Sequence, residues 1–490
     1  MENNLEKGNK KELVTNIGWS YAERMLPQIV TLIVSVVLAR LLAPEYYGII
    51  AIVTVFIALG DALAIGGLGN ALVQKQDADD KDFNSVCWLS MGVSIVIYTI
   101  LFFIAPLVAR FYQNNLLIVV IRVMGLKVIF SAFNSVQQAY IQKNMTFRKG
   151  FLSAVSGSLA AALVGVTMAA CGFGIWALVA QYMVNAVVQT VVLFLMIPWR
   201  PKFEVAWNRL KSLWNYGSKV LGSTLVYTAR DNIRTLIVGK QFSSQDLAFY
   251  NQGQKYPSIV VADVVEALGK VLFPALSSKQ SDKKQVKDLM RLSIRISGYI
   301  MTPLMLGLLA VGDTFVYAVL TEKWAPCIPF LQIMCLAYIL RPLSAVFQKS
   351  LLAIGKSNLS LAHETITSSA TIALLLIAVF AMESVTLIAW SQAVTALMGT
   401  VLYMLWSKRY LDYRIREVAR DYLPTVLLSI VMAIGVMLVG MLKIQVVLKL
   451  VLQVLTGVAI YIGLSWITKN ENFTLILGLV KEFCKGKNSK

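Results

Sequence analysis

Residues 46–67 read YYGIIAIVTVFIALGDALAIGG. These twenty-two positions hold one charge, Asp61, one threonine, Thr54, and otherwise aliphatic, aromatic or small residues. At about 1.5 Å per residue a helix of that length reaches about 33 Å, and the hydrocarbon core of a bilayer is about 30 Å thick. The stretch therefore reads as a membrane span. Comparable apolar runs recur near 13–39, 87–109, 116–136, 151–170, 174–197, 217–238, 247–271, 292–312, 327–346, 359–381, 384–406, 422–442 and 446–468, which predicts fourteen spans. Composition agrees. Of 490 residues 57% are apolar, and 14% are charged against roughly 25% in soluble proteins. Disorder, collagen-like repeats and a disulfide scaffold are excluded by the same figures. The fold class expected is an all-α integral membrane protein of about 14 transmembrane helices, with short loops and no separate soluble domain.

The net charge is +19. In a soluble chain that would point to nucleic acid; here it is read as topology, because cytoplasmic loops collect Lys and Arg. With the N-terminus inside, Arg200, Lys202, Arg209, Lys211 and Lys219 fall in one inner loop. Lys279, Lys283, Lys284, Lys287, Arg291 and Arg295 fall in the next, and Lys408, Arg409, Arg414, Arg416 and Arg420 in a third. The outer loops hold little beyond Arg40, Arg110, Lys240, Lys323, Lys443 and Lys449. Both termini are therefore expected in the cytoplasm. Two segments, Trp199–Trp214 and Phe473–Phe483, pattern as amphipathic helices lying on the inner membrane surface. Cys87, Cys171, Cys327, Cys335 and Cys484 show no metal-ligand spacing and read as free thiols.

Two echoes divide the chain. Ala39-Arg40-Leu41-Leu42 after span one returns as Gly239-Lys240-Gln241-Phe242 after span seven. Ile141-Gln142-Lys143-Asn144 after span four returns as Ile354-Gly355-Lys356-Ser357 after span ten. They predict a cytoplasmic N-terminus (1–12), an N-lobe of six spans (13–197), a cytoplasmic amphipathic linker (198–216) and a C-lobe of six spans (217–406). An extra helix pair (407–468) and a basic cytoplasmic tail (469–490) follow. Pseudo-symmetric halves with a site at their interface are a common transporter plan.

Ionisable groups inside a span cost about 2.5–3.5 kcal/mol each on an insertion scale, so they face protein or water and mark candidate function. Span one carries Asn16, Ser20, Glu23, Arg24, Thr31 and Ser35 at helical spacing. Span two has Thr54 and Asp61, and span four has Lys127, Ser131, Asn134 and Gln138 on one stripe. Span seven carries Ser223, Tyr227, Arg230, Asp231 and Arg234; span eight carries Asn251, Lys255, Ser258 and Glu266. Span eleven has Glu364 beside the only histidine, His363. The pattern predicts a polar cavity whose cations are Arg24, Arg230, Arg234 and Lys255. Guanidinium forks match phosphate geometry, so an anionic ligand such as a lipid phosphate or pyrophosphate is expected. Internal ion pairing that only fixes helix packing is the competing reading of the same charges.

No GxxxxGK[ST], HExxH or GxSxG is present. Asp77, Asp79, Asp80 and Asp82 form an acidic cluster that reads as a solvated loop. Neither an enzyme nor a cofactor or metal site is expected, and no nucleic-acid partner.

The turn Ala39-Arg40-Leu41-Leu42-Ala43-Pro44-Glu45-Tyr46-Tyr47-Gly48, the Gly355-Lys356 step, the fourteen spans and the basic inner face together resemble the multidrug/oligosaccharidyl-lipid/polysaccharide exporter superfamily. Within it the chain is similar to Wzx-type lipopolysaccharide and exopolysaccharide flippases, the colanic-acid and teichuronic-acid branch. The resemblance implies a bacterial cytoplasmic-membrane protein that moves undecaprenyl-pyrophosphate-linked oligosaccharide units to the outer leaflet by alternating access. It implies a cationic cavity at Arg24, Arg230, Arg234 and Lys255, and coupling to a proton or sodium ion. Glu23, Asp61, Asp231 and Glu364 are the candidate coupling groups. Membrane lipids and the polysaccharide polymerase machinery are the partners it implies. A cation-coupled drug or metabolite exporter of the same architecture is the alternative, and its cavity would favour carboxylates and aromatics.

Overall fold

The computed structural model describes residues 2–65, 67–75, 77–279 and 282–478; the side chains of 2–18, 20, 21, 24, 70, 212–216, 219, 263, 267, 270 and 271 lie outside the description. Among the described residues every regular element is helical. The chain runs α1 (Glu2–Leu41), α2 (Pro44–Ile65), α3 (Leu68–Gln74), α4 (Asp80–Tyr112), α5 (Leu116–Gly125), α6 (Lys127–Lys143), α7 (Phe147–Ala170), α8 (Ile175–Met196) and α9 (Trp207–Gln241). It continues with α10 (Ser244–Ser277), α11 (Lys283–Ala310), α12 (Gly312–Phe315), α13 (Ile328–Tyr338), α14 (Arg341–Ala353), α15 (Ser357–Leu376), α16 (Val385–Leu411), α17 (Ile415–Gly440) and α18 (Val446–Ile467). Helices dominate because a bilayer offers no water to backbone N–H and C=O groups, and a helix pairs them internally. Among the described residues eleven helical passes are long and apolar enough to cross a membrane. α1, which has an apolar stretch at Met25–Leu41, α9 and α10 are not among those eleven. Two π turns, Val316–Leu320 and Ile377–Ala381, interrupt the regular ladder, and α10 contains Pro257 and Pro274.

The chain forms two compact units, one up to Ala248 and the other from Phe249. In the first unit, α7 lies against α8 through Ser153, Gly157, Ala161 and Gly165, one residue per turn. A Cβ on Gly157 would stand 2.5 Å from Gln189 Cγ and 3.1 Å from Asn185 O. Ser153 Oγ donates to Gln189 O at 2.9 Å. Lipid is as apolar as leucine, so helices in a membrane associate by close backbone approach of this kind.

Both sequence echoes fall on helix–turn–helix junctions. α1 ends at Leu41 and α2 opens with Pro44, whose missing N–H is harmless at a helix start. α9 ends at Gln241, and α10 is opened by a reciprocal cap in which Ser243 N and Oγ donate to Asp246 Oδ2 and Asp246 N donates to Ser243 Oγ. These two turns touch: a Cβ on Gly48 would overlap Ser244 O and lie 2.5 Å from its carbonyl carbon. At the second echo, Met145 (φ 52°) and Gly355 (φ 78°) adopt the left-handed conformation that ends each helix. Thr146 N then donates to Ile141 O, and Lys356 N to Leu351 O, both at 3.0 Å. The turn geometry pairs Met145 with Gly355, so matching Lys143 to Lys356 by residue identity is three residues out of step.

The linker differs from expectation. Residues 198–206 are not helical, and α9 starts only at Trp207. Trp199 is buried in a cluster with Phe83, Leu193 and Leu210. Asn84 Oδ1 accepts from Trp199 Nε1 at 3.1 Å and from Lys202 N at 3.2 Å; Ser85 Oγ accepts from Ala206 N at 2.9 Å. Trp88 Nε1 donates to Lys202 O at 2.8 Å. With Pro198 and Pro201 in the segment, its backbone groups are satisfied by α4 instead of by a helix of its own.

In the second unit, Lys287, Arg291 and Arg295 line one face of α11 at four-residue spacing. Lys287 Nζ meets Glu417 Oε2 at 2.9 Å, and Arg291 grips Asp421 with two bonds of 2.7 and 2.9 Å. Tyr413 OH adds a third donor to Asp421 at 2.8 Å. Arg295 donates to Glu471 at 2.5 Å and to Asn472 at 2.8 Å. One turn further in, Gly298 leaves room for the Tyr422 ring, whose hydroxyl takes a bond from Thr302. Elsewhere in this unit Tyr338 OH accepts from Gln254 and from Gln392. The tail is helical over 471–478, and the rest of the expected amphipathic segment to Phe483 lies outside the described residues. Cys87, Cys327 and Cys335 are buried free thiols, Cys171 is an exposed one, and Cys484 lies outside the described residues.

Candidate functional site: a polar pocket and unpaired cations

In the first unit α1 delivers Glu23 to the point where α6 and α7 meet. Its half-buried carboxylate is hydrogen-bonded to Gln138 of α6. It rests against Gly150 of α7, where a Cβ would collide with it. Asp61 of α2 is 3.2 Å from Lys127 Nζ, the first residue of α6, with 21% and 26% of the two side chains exposed. The second carboxylate oxygen, Oδ1, is buried and accepts no hydrogen bond. The polar stripe of span four thus serves two acids on two other helices.

Beside this pair lies a cavity of about 320 Å³ formed by α2, the turn into α3, α6 and α9. Its polar lining comprises Asp61, Ser135, Gln138, Gln142, Thr224 and Thr228. The rest of its lining is apolar: Ala58, Ala62, Ile65, Gly67, Gly69, Ala139 and Val220. Among the described residues the lining holds one acid and no cation. Sequence reasoning placed Gln138 on a stripe but did not single out Ser135, Gln142, Thr224 or Thr228, because isolated hydroxyls and amides are common in helices.

The predicted cations occupy other places. Arg230 and Arg234 are one turn apart on α9. The Arg230 guanidinium is 5.8 Å from the Tyr227 ring centroid, and Arg234 Nε is buried with no hydrogen-bond acceptor among the described residues. Asp231, between them, is exposed. The Arg24 side chain lies outside the described residues. In the second unit Lys255 is half-buried on α10, and among the described residues no carboxylate pairs with it. Glu364 sits half-buried on α15, next to His363, which stacks on Tyr403 at 4.0 Å.

The acidic loop has a structural role. Asp79 and Asp82 cap α4 reciprocally, Lys75 reaches Asp82 at 2.6 Å, and Arg209 reaches Asp79 at 2.5 Å. The Arg209 hydrogen bond holds the Asp79 carboxyl down to about 2. Among the described residues no group of three His, Cys, Asp or Glu side chains is arranged to hold a metal.

The model of the family described as "Polysaccharide biosynthesis protein" matches residues 37–329, more than half of the chain. The succinoglycan biosynthesis transport protein ExoT of Rhizobium meliloti is 24% identical over 329 residues, 67% of each chain. The lipopolysaccharide biosynthesis protein WzxC of Escherichia coli is 24% identical over 357 residues, 72% of each chain. Among solved structures, the lipid II flippase MurJ in an inward closed conformation superposes with a TM-score of 0.74 at 13% identity, covering 92% of this chain and 98% of its own. An inward-facing multidrug resistance MATE family transporter of the MOP superfamily superposes with a TM-score of 0.61 at 13% identity, covering 81% and 98%. At such identities the two structures establish the shared fold.

Proposed function

From the premise that this chain belongs to the family of polysaccharide biosynthesis proteins, we propose that it is a flippase for undecaprenyl-pyrophosphate-linked oligosaccharide units, working by alternating access in the bacterial cytoplasmic membrane. The observations that support the reading are one cation in each unit: Arg234, whose buried Nε has no acceptor among the described residues, and Lys255, with which no described carboxylate pairs. A cation inside a span costs about 2.5–3.5 kcal/mol, and a phosphate is the partner that would offset that cost during transport. Arg230 lies one turn from Arg234, and Arg24 is the further cation on α1. In this reading α1, α9 and α10 cross the membrane as well, giving fourteen spans with both termini inside.

A proton or sodium gradient drives the cycle. Of the candidate coupling groups, Glu23 and Asp61 stand beside hydrogen-bonding partners on α6, Asp231 is exposed and Glu364 is on α15. The test is transport in proteoliposomes with a fluorescent undecaprenyl-pyrophosphate-linked sugar. Arg24→Ala and Arg230→Ala are expected to reduce flipping at least tenfold at wild-type protein levels, with insertion intact. Full flipping in both variants would contradict the cationic site.

A further inference from the structure

The cavity between α2, α6 and α9 has the wrong chemistry for a pyrophosphate. Among the described residues its lining contains no cation, and its one ionisable group, Asp61, would repel a phosphate. What it offers is a set of neutral hydrogen-bonding groups: the amides of Gln138 and Gln142 and the hydroxyls of Ser135, Thr224 and Thr228. Amides and hydroxyls both donate and accept, as do the hydroxyls of a sugar ring. Asp61 lines the cavity with a partly exposed carboxylate that Lys127 holds at 3.2 Å. A fixed carboxylate accepting from sugar hydroxyls makes a charge-assisted bond, stronger than a neutral one. A volume of about 320 Å³ is at the small end of the 300–1,000 Å³ range of ligand pockets, which suits one ring and not a whole oligosaccharide.

Position supports the same ligand. The pocket lies at the C-terminal ends of α2 and α6, beside the Gly67 turn. With the termini inside, that is the cytoplasmic end of the unit, where a lipid-linked sugar would be presented before transport.

We propose that this pocket binds a neutral sugar ring of the lipid-linked substrate through Asp61, Gln138, Gln142 and Thr224, separately from the cations that take the pyrophosphate. The proposal rests on the flippase reading and adds a glycan subsite to it. The test measures binding of two probes to the full-length protein in nanodiscs: undecaprenyl pyrophosphate, and the same lipid carrying one neutral hexose. The wild type should bind the glycosylated lipid about tenfold more tightly. Gln142→Leu and Thr224→Val, both at exposed positions, should each remove most of that preference and leave the sugar-free lipid's affinity unchanged. Arg234→Met should weaken both lipids equally. Equal affinity of the wild type for the two probes, or loss of both affinities in Gln142→Leu and Thr224→Val, overturns the subsite while leaving the flippase reading standing. Failure of the wild type to bind either lipid overturns the flippase reading, and the subsite with it.

Discussion

Replacing Arg291 by alanine removes both donors of the fork that holds Asp421, at 2.7 and 2.9 Å. The Asp421 side chain is 5% exposed and Arg291 is 32% exposed. Breaking a fully buried pair from one side costs about 3–5 kcal/mol, whereas an exposed pair is worth about 0–1 kcal/mol. Here the acid is buried and the base is not, and Tyr413 still donates to the carboxylate at 2.8 Å. The loss should therefore be about 2 kcal/mol, roughly a thirtyfold rise in the unfolding constant. The double variant Arg291→Met with Asp421→Leu should recover most of this, since removing both partners leaves no stranded charge. Arg291→Lys should fall between, keeping the charge without the fork. Unfolding in mixed detergent micelles can be followed through the ten tryptophans. An Arg291→Ala protein within about 0.5 kcal/mol of wild type, or a double variant less stable than either single, would show that this contact does not hold α11 to α17.

The two tight glycines should differ. Gly48→Ala places a methyl group on the Ser244 carbonyl, which as backbone cannot rotate away, so a loss of about 3 kcal/mol or more is expected. Gly157→Ala meets first the flexible Gln189 side chain and should cost about 1–2 kcal/mol; thermal melts showing the opposite order would refute the packing described for α7 and for the α1–α2 and α9–α10 turns. At the start of α4, the Asp79 carboxyl is held at about 2 in the folded protein against about 3.9 in an unfolded chain. Its contribution is fully present above about pH 4 and is lost as pH falls through about 2. Hydrogen exchange at Asp82, whose amide donates to Asp79 Oδ1, should report that loss only in this window, and Asp79→Ala should abolish the pH dependence and expose that amide throughout.

The membrane class and the helical runs were legible because twenty-residue apolar stretches have few other uses. The polar stripe of α6 was legible too, from helical periodicity alone. What periodicity cannot give is the partner. Lys127 and Asp61 are 66 residues apart, Arg291 and Asp421 are 130 apart, and nothing local in either segment marks the other. Arg291 consequently read as a topogenic loop charge, although it is part of a helix–helix clamp. The linker misread has a similar origin: the alternation of apolar and basic residues over 199–214 fits an amphipathic helix, but Asn84, Ser85 and Trp88 supply hydrogen bonds that make an extended path cheaper. Of the pocket lining Asp61 and Gln138 were legible, but not the pocket, because it is assembled from three helices distant in sequence, α2, α6 and α9.

The seam of α7 on α8 has a bearing on motion. On the α7 side Ser153, Gly157, Ala161 and Gly165 bring no long side chains to re-sort into a second arrangement, and packed interfaces switch only between discrete arrangements. Whatever cycle the protein runs, these two helices must travel through it as a single plank. Places where the helical ladder is already loosened, the π turns at Val316–Leu320 and Ile377–Ala381 and the internal prolines of α4, α10, α11 and α17, are the ones suited to bending.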